Sequence, residues 1–187
     1  MFFILFANDS IVLLSGGAYV GATRAMQVLM PTVLLIALSN MTGIQILVPM
    51  GKERAVMISV ICGAVIDFIS NLIYIPHFSA AGAAMSTLSA EAVVLAIQVV
   101  YIRNYLKTLL KRVVVHKILI SMSAATVVGF LIVKYVFLSV FFRLLIGGCT
   151  FFGLYFGLLL LQRDTFLLGF IQPIWEKIKV KLKANKV

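Results

Sequence analysis

The chain has 187 residues, of which 63% are hydrophobic and only 12% charged, with 16 basic side chains against 6 acidic ones. Soluble domains are roughly 45–50% apolar, so one small core cannot bury this much apolar surface. The composition argues against a soluble globular domain, a disordered chain and a coiled coil, and it indicates an integral membrane protein. Cys62 and Cys149 lie within apolar runs, so no disulfide framework is expected and the redox compartment cannot be inferred.

The first 24 residues contain no complete membrane span. The apolar run Met1–Phe6 is too short to cross a bilayer, which takes about 20 residues, and no basic segment precedes it as in a signal peptide. We interpret it as the end of a longer, truncated helix, which makes the chain a fragment of a larger protein. Residues Asn8–Arg24 include several turn formers and are predicted to be a link outside the membrane.

Five long apolar runs follow, and each is predicted to be a transmembrane helix. They are span I, about Ala25–Val48; span II, about Ala55–Ile75; span III, about Ala80–Ile102; span IV, about Val115–Phe137; and span V, about Ser139–Leu161. The runs are continuous and do not alternate, so a β-barrel is not expected and the backbone polar groups must pair within helices. The predicted fold is an all-α polytopic bundle, with spans I–III in residues 25–105 and spans IV and V in residues 106–162.

Residues 163–187 are predicted to form an interfacial segment and a basic tail. The apolar part, Thr165–Trp175, is too short to span and is interrupted by Pro173. Lysines follow it, which is typical of a segment that lies near anionic headgroups. The alternative is a tail that only sets topology and binds nothing specific.

The distribution of basic residues predicts the orientation. If the link Pro49–Arg54 is cytoplasmic, thirteen of the sixteen basic residues lie on that face, and only Arg24, Lys134 and Arg143 lie on the other. The positive-inside rule favours this placement. We therefore expect a multi-pass membrane protein with a cytoplasmic C-terminus and an external link at Pro76–Ser79.

Two carboxylates are predicted near the bilayer midplane. Asp67 lies twelve residues into span II and Glu91 eleven residues into span III. Ionisable side chains there cost about 2.5–3.5 kcal/mol and usually face a bundle interior or a wet cavity. The functional interpretation is a cavity in which they contact a polar substrate, a proton or a coupling ion. The structural alternative is a set of interhelical hydrogen bonds or ion pairs.

Polar side chains accompany these acids at helical spacing, and together they form the candidate substrate or ion pathway. Its predicted members are Asn40, Gln45, Asp67, Asn71, Thr87, Glu91 and Gln98. Span I is also polar and breakable around Gly43, as in interrupted transporter helices, or it packs tightly there instead. Small residues such as Gly82, and the pair Gly153 and Gly157, are predicted to allow close helix packing.

No catalytic residues, metal site or cofactor are predicted. The sequence has no P-loop, no GxGxxG, no HExxH and no CxxC pair, and His77 and His116 lie in links on opposite faces. The protein is therefore not expected to be an enzyme or to bind nucleic acid.

The motif series resembles the C-terminal half of bacterial polysaccharide repeat-unit flippases, in the multidrug/oligosaccharidyl-lipid/polysaccharide exporter superfamily. The resemblance covers roughly Phe6–Tyr105 and is carried by FANDSIVLLSGGAYVGATRAMQVL, LSNMTGIQILVPMGKERAV, GAVIDFISNLIYIP and SAAGAAMSTLSAEAVV. Spans IV and V match only in hydropathy and position.

The resemblance implies a two-lobed bundle around a central cavity, of which this chain supplies the C-terminal lobe. It also implies that the lobes export undecaprenyl-pyrophosphate-linked oligosaccharides by alternating access, with a proton or sodium ion as the candidate coupling ion. The expected partners are therefore membrane lipid, the lipid-linked oligosaccharide and an N-terminal lobe that carries many cationic cavity residues.

Three alternatives stay open from the sequence. One is a cation-coupled multidrug antiporter of the same superfamily, with Asp67 or Glu91 as the coupled carboxylate. Another is an inactive or helper membrane fragment. A third is a membrane enzyme such as a polymerase or acyltransferase, which the short external links disfavour.

Overall fold

The structure is a computed structural model that describes residues 1–110, 115–135 and 139–162. At 106–110 and 115–117 it describes the backbone only. Within the described ranges the chain is helical and contains no strand. Among these residues, five helices are long and apolar enough to cross a membrane, which confirms the predicted all-α fold with five helices able to span. The predicted interfacial segment Thr165–Trp175 and the basic tail lie outside the described residues.

The described residues form seven α-helices and two shorter helical segments. They are α1 (Phe2–Leu5), α2 (Ala7–Ser15), a 3₁₀ segment (Gly17–Ala22), α3 (Thr23–Asn40), a π segment (Met41–Leu47), α4 (Glu53–Phe78), α5 (Ala80–Leu110), α6 (Val115–Tyr135) and α7 (Val140–Leu161). The long helices agree with the predicted spans, because an apolar run in lipid must satisfy its own backbone groups.

The N-terminal segment differs from the predicted link. Most of it is helical, since α2 covers Ala7–Ser15 and ends at Gly16, whose φ of 86° suits glycine. Asp9 lies in the first turn of α2, where the helix dipole favours an acid, and its carboxylate pairs with Arg143 at 3.4 Å. The turn formers that the prediction relied on are therefore partly accommodated within a helix, with Gly16 at its end.

The chain forms two compact units. The first contains Met1–Val113 together with Leu138–Leu144, and the second contains Val114–Phe137 together with Leu145–Val187. In the second unit, Gln162 Nε2 donates a hydrogen bond of 3.2 Å to Ser121 Oγ, which is fully buried.

Helix α5 is the centre of the first unit, because it packs along both α4 and α3. A Cβ added to Gly82 would lie 2.2 Å from the carbonyl oxygen of Tyr74, and one added to Gly63 would lie 2.4 Å from Val94 Cγ2. These glycines let α4 and α5 approach closely, which confirms the packing role predicted for Gly82.

The other predicted packing pair does not behave this way. A Cβ at Gly153 or Gly157 would meet nothing within 4 Å among the described residues. The spacing of small residues alone therefore predicted a contact that the described helices do not make.

Candidate functional site

A pocket of about 400 Å³ lies in the first unit, between the end of α3, the π segment, α4 and α5. Its polar lining is contributed by Ser39, Asn40, Asp67, Thr87, Glu91 and Gln98. Asp67 lies near the middle of α4 (Glu53–Phe78), so the pocket reaches the central part of a membrane-spanning helix. Polar groups at this depth are costly unless they pair with one another or with a ligand.

The π segment shapes one wall of the pocket. The amide of Val48 donates to the carbonyl of Gly43 at 3.0 Å, five residues earlier rather than four. Gly43 itself packs against the Gln98 side chain, because an added Cβ would lie 2.9 Å from Gln98 Nε2. The polar, breakable region predicted around Gly43 is therefore both irregular and tightly packed, and π-bulges of this kind are frequent at functional sites.

Gln98 connects three helical segments at the base of the pocket. Its side chain is 2% exposed; Oε1 accepts a short hydrogen bond from Thr42 Oγ1, and Nε2 donates to Ser59 Oγ at 3.2 Å. The Ser59 hydroxyl in turn donates to the carbonyl of Val56 at 2.7 Å. The amide thus links the π segment, α4 and α5 through paired groups, which fixes the relative positions of the pocket walls.

The two acids sit in different surroundings. Glu91 Oε2 accepts a hydrogen bond of 3.4 Å from Ser39 Oγ on α3. Asp67 Oδ2 accepts one of 3.1 Å from Asn71 Nδ2, one turn along the same helix. Asp67 Oδ1 is buried and has no hydrogen-bond partner among the described residues. A buried carboxylate oxygen that accepts no hydrogen bond from the protein is suited to bind a proton, a cation or a ligand hydroxyl.

The charge of the pocket is one-sided. Among the residues that the structure describes, its lining contains two carboxylates and no lysine, arginine or histidine. At low effective dielectric this arrangement attracts cations and repels anions such as pyrophosphate. The pocket can therefore hold a proton, a metal cation or an organic ammonium group, or it can donate and accept hydrogen bonds with sugar hydroxyls.

The structure brings most of the predicted pathway residues together. Asn40, Asp67, Thr87, Glu91 and Gln98 line the pocket, and Asn71 reaches it through its hydrogen bond to Asp67. Gln45 is exposed and does not line the pocket. It lies within the π segment, whose wider turns change the angular positions that an α-helical spacing predicts.

Some contributing residues escaped the sequence analysis. Ser59 is a single serine in an apolar run that the sequence did not single out, and its hydroxyl accepts a hydrogen bond from Gln98 Nε2. The ion pair between Asp9 and Arg143 joins positions 134 residues apart. The sequence signal for this pair was Arg143 itself, because a basic side chain in the apolar beginning of α7 is costly in lipid unless it has an acidic partner.

These features define a class: a multi-pass helical membrane protein with a polar, acidic pocket among its helices. Compared with protein-family models, with curated proteins and with solved structures, the chain has no significant match in any of the three. The resemblance to polysaccharide flippases therefore stays a prediction that rests on the motifs themselves.

Proposed function

We propose that this chain forms one lobe of a membrane carrier that moves undecaprenyl-pyrophosphate-linked oligosaccharide repeat units across the bacterial cytoplasmic membrane. The observation that supports the proposal is the pocket of about 400 Å³ between membrane-spanning helices, with Asp67 and Glu91 in its lining. The motif series of residues Phe6–Tyr105 supplies the substrate class.

The physical need for such a carrier is clear. A hydrated sugar pyrophosphate cannot cross hydrocarbon unaided, because its polar and charged groups would lose their hydrogen bonds. A polar cavity between two lobes shields the headgroup while the polyprenyl tail stays in lipid. Rocking of one lobe against the other then changes which side of the membrane the cavity faces.

In this proposal the acids take the coupling role. A pocket with two carboxylates and no cationic lining residue is poorly suited to pyrophosphate and well suited to a proton or a sodium ion. Asp67 carries the unpaired buried oxygen that would receive the ion. The pyrophosphate would instead be held by cationic residues of the opposite lobe, where the family resemblance places them.

The test is polysaccharide export in the bacterium that makes the protein. We expect Asp67→Asn and Glu91→Gln each to lower export at least about tenfold, because each removes a charge that binds the ion while keeping the side-chain size. Glu53→Gln is the matched control, since Glu53 is exposed at the beginning of α4 and lies outside the pocket. Membrane levels are measured for each variant.

Normal export in both pocket variants would overturn the coupling role. Normal surface polysaccharide after deletion of the whole gene would overturn the proposed function itself.

The acidic lining also favours a second candidate, a cation-coupled antiporter of organic cations. Such a substrate would use the carboxylates directly and would need no cationic partner lobe. Drug resistance measured beside polysaccharide export in the same deletion strain separates the two: lost resistance with normal export supports the antiporter.

A further inference from the structure

A second pocket lies in the first unit where α3 begins, α4 ends and α5 begins. It encloses about 760 Å³, and its lining includes Arg24, Gln27, His77 and Ser79. The acidic pocket begins farther along the same helices, with Ile36 on α3 and Thr87 on α5. The two pockets therefore occupy separate positions along the first unit.

The chemistry of this second pocket is opposite to that of the first. Within the described part of the chain, its lining contains an arginine and a histidine but no aspartate or glutamate. Arg24 is exposed, and no described carboxylate lies within ion-pair distance of it. The arginine fork, with the hydrogen-bonding side chains of Gln27 and Ser79 beside it, is suited to the oxygens of a phosphate group.

The position of the pocket fits an amphiphilic ligand. Helix α4 has 26 residues and is about 39 Å long, enough to cross the apolar layer of about 30 Å. His77 lies at its end, so in a membrane that α4 crosses the pocket would be at the depth of the lipid phosphates. Val28, Phe78 and Met85 add apolar surface to the lining, on which the glycerol and upper acyl region of a lipid can pack.

We propose that this second pocket binds a phosphate group, with Arg24 as its principal ligand. The source of the phosphate is a phospholipid headgroup or free inorganic phosphate. The site is distinct from the acidic pocket, and it does not depend on the transport function proposed above.

The test measures binding rather than transport. In the first arm, the full chain is purified in a non-ionic, phosphate-free detergent with phosphatidylglycerol or with phosphate-free digalactosyldiacylglycerol, and retained lipid is counted by native mass spectrometry. In the second arm, inorganic phosphate is titrated calorimetrically in the absence of lipid. Arg24→Gln is compared with Arg54→Gln, whose arginine is exposed at the opposite end of α4 and lies outside the pocket.

We expect Arg24→Gln to weaken phosphate-dependent binding about tenfold, as for the loss of one charge-assisted contact, and Arg54→Gln to match the parent. Arg24→Lys keeps the positive charge but loses the two-pronged guanidinium group, so it should bind phosphate with intermediate strength. If Arg24→Gln lowers the helix content, the Arg24→Lys variant is used for the comparison instead. If binding depends on Arg24 in the lipid arm alone, the ligand of the pocket is a phospholipid. If the binding of inorganic phosphate depends on Arg24, the ligand is free phosphate.

Three results would overturn the site. One is a parent chain that binds neither probe, and another is retention of phosphatidylglycerol no better than that of the phosphate-free lipid, together with no phosphate uptake. The third is an equal loss of binding in the Arg24 and Arg54 variants.

Discussion

Gln98 shows how one side chain fixes the geometry of a site. It is almost fully buried, and both ends of its amide are paired, to Thr42 on the π segment and to Ser59 on α4. Interhelical hydrogen bonds in membranes contribute about 0.6 kcal/mol on average and up to about 1.7 kcal/mol. The amide therefore adds modest stability, while it determines which faces of three helical segments meet.

We expect Gln98→Leu, which keeps the volume and removes both hydrogen bonds, to lower the free energy of unfolding by about 1–2 kcal/mol. Gln45→Leu is the control, because Gln45 is exposed on the π segment, and we expect no loss there. Unfolding in mixed micelles, followed by far-UV circular dichroism, measures both. Equal stability of the parent and the Gln98 variant would contradict the bridging role.

At the residue scale, the sequence singles out polar side chains where their burial in lipid would be costly. Asp67, Glu91 and Gln98 stand out in apolar runs because lipid would not accept them, and all three line the same pocket. It did not single out Ser59, because a serine in a helix can donate to its own backbone and needs no tertiary partner. Its contact with Gln98 depends on how α4 and α5 pack, which the sequence of either helix alone does not encode.

At the scale of elements, Gly82 decides how closely α4 and α5 cross. We expect Gly82→Ala to lower the free energy of unfolding by about 1–3 kcal/mol, because the new Cβ would meet the backbone of Tyr74, which cannot move as a side chain can. Gly153→Ala is the matched control, with open space around the added methyl group. The same micelle unfolding assay measures both, and equal effects of the two substitutions would contradict the assigned packing.

Helices were predicted best where the chain is a long apolar run, because a backbone in lipid must form its own hydrogen bonds. Span II was expected at about Ala55–Ile75 and the helix covers Glu53–Phe78, because a continuous apolar run must be helical to pair its backbone. The segment from Asn8 onward was predicted less well, since it contains helix-disfavouring residues and yet is helical over Ala7–Ser15 and Gly17–Ala22. From the sequence, the π segment was predicted only as a polar, breakable region around Gly43. Its hydrogen-bond register was not predicted.

At the scale of the whole molecule, the predicted orientation can be tested across α4. In a background without Cys62 and Cys149, we expect Lys52→Cys to be labelled by a membrane-impermeant maleimide from the cytoplasmic side and His77→Cys from the outside. The reason is that α4 is long enough to cross the membrane and that basic residues concentrate on the Lys52 face.

Phe68→Cys is the control for this labelling. Phe68 is 67% exposed in the middle of α4, where lipid should keep the reagent away. Labelling is measured in intact cells and in inverted vesicles. Labelling of positions 52 and 77 from the same side would contradict a membrane-spanning α4.

The whole-molecule arrangement was the least accessible to sequence reasoning. Apolar run length determines how many helices cross, but the assignment of Leu138–Leu144 to the first unit depends on contacts between segments far apart in the chain. The pairing of Asp9 with Arg143 is one such contact: the charge in the apolar beginning of α7 indicates that a partner is needed, but no local pattern identifies Asp9 as that partner.

The π segment has a consequence for how this protein can change over generations. A π turn holds one residue more than the α turn it replaces, so loss of a single codon within residues 41–47 would let the helix continue in the ordinary register. The residues beyond the cut would keep nearly their present angular positions relative to Ser39 and its contact with Glu91, because the π turn already absorbs the extra residue. One small deletion would thereby straighten one wall of the cavity while the flanking helices keep their neighbours, so this short stretch is where the shape of the cavity can change in a single genetic step.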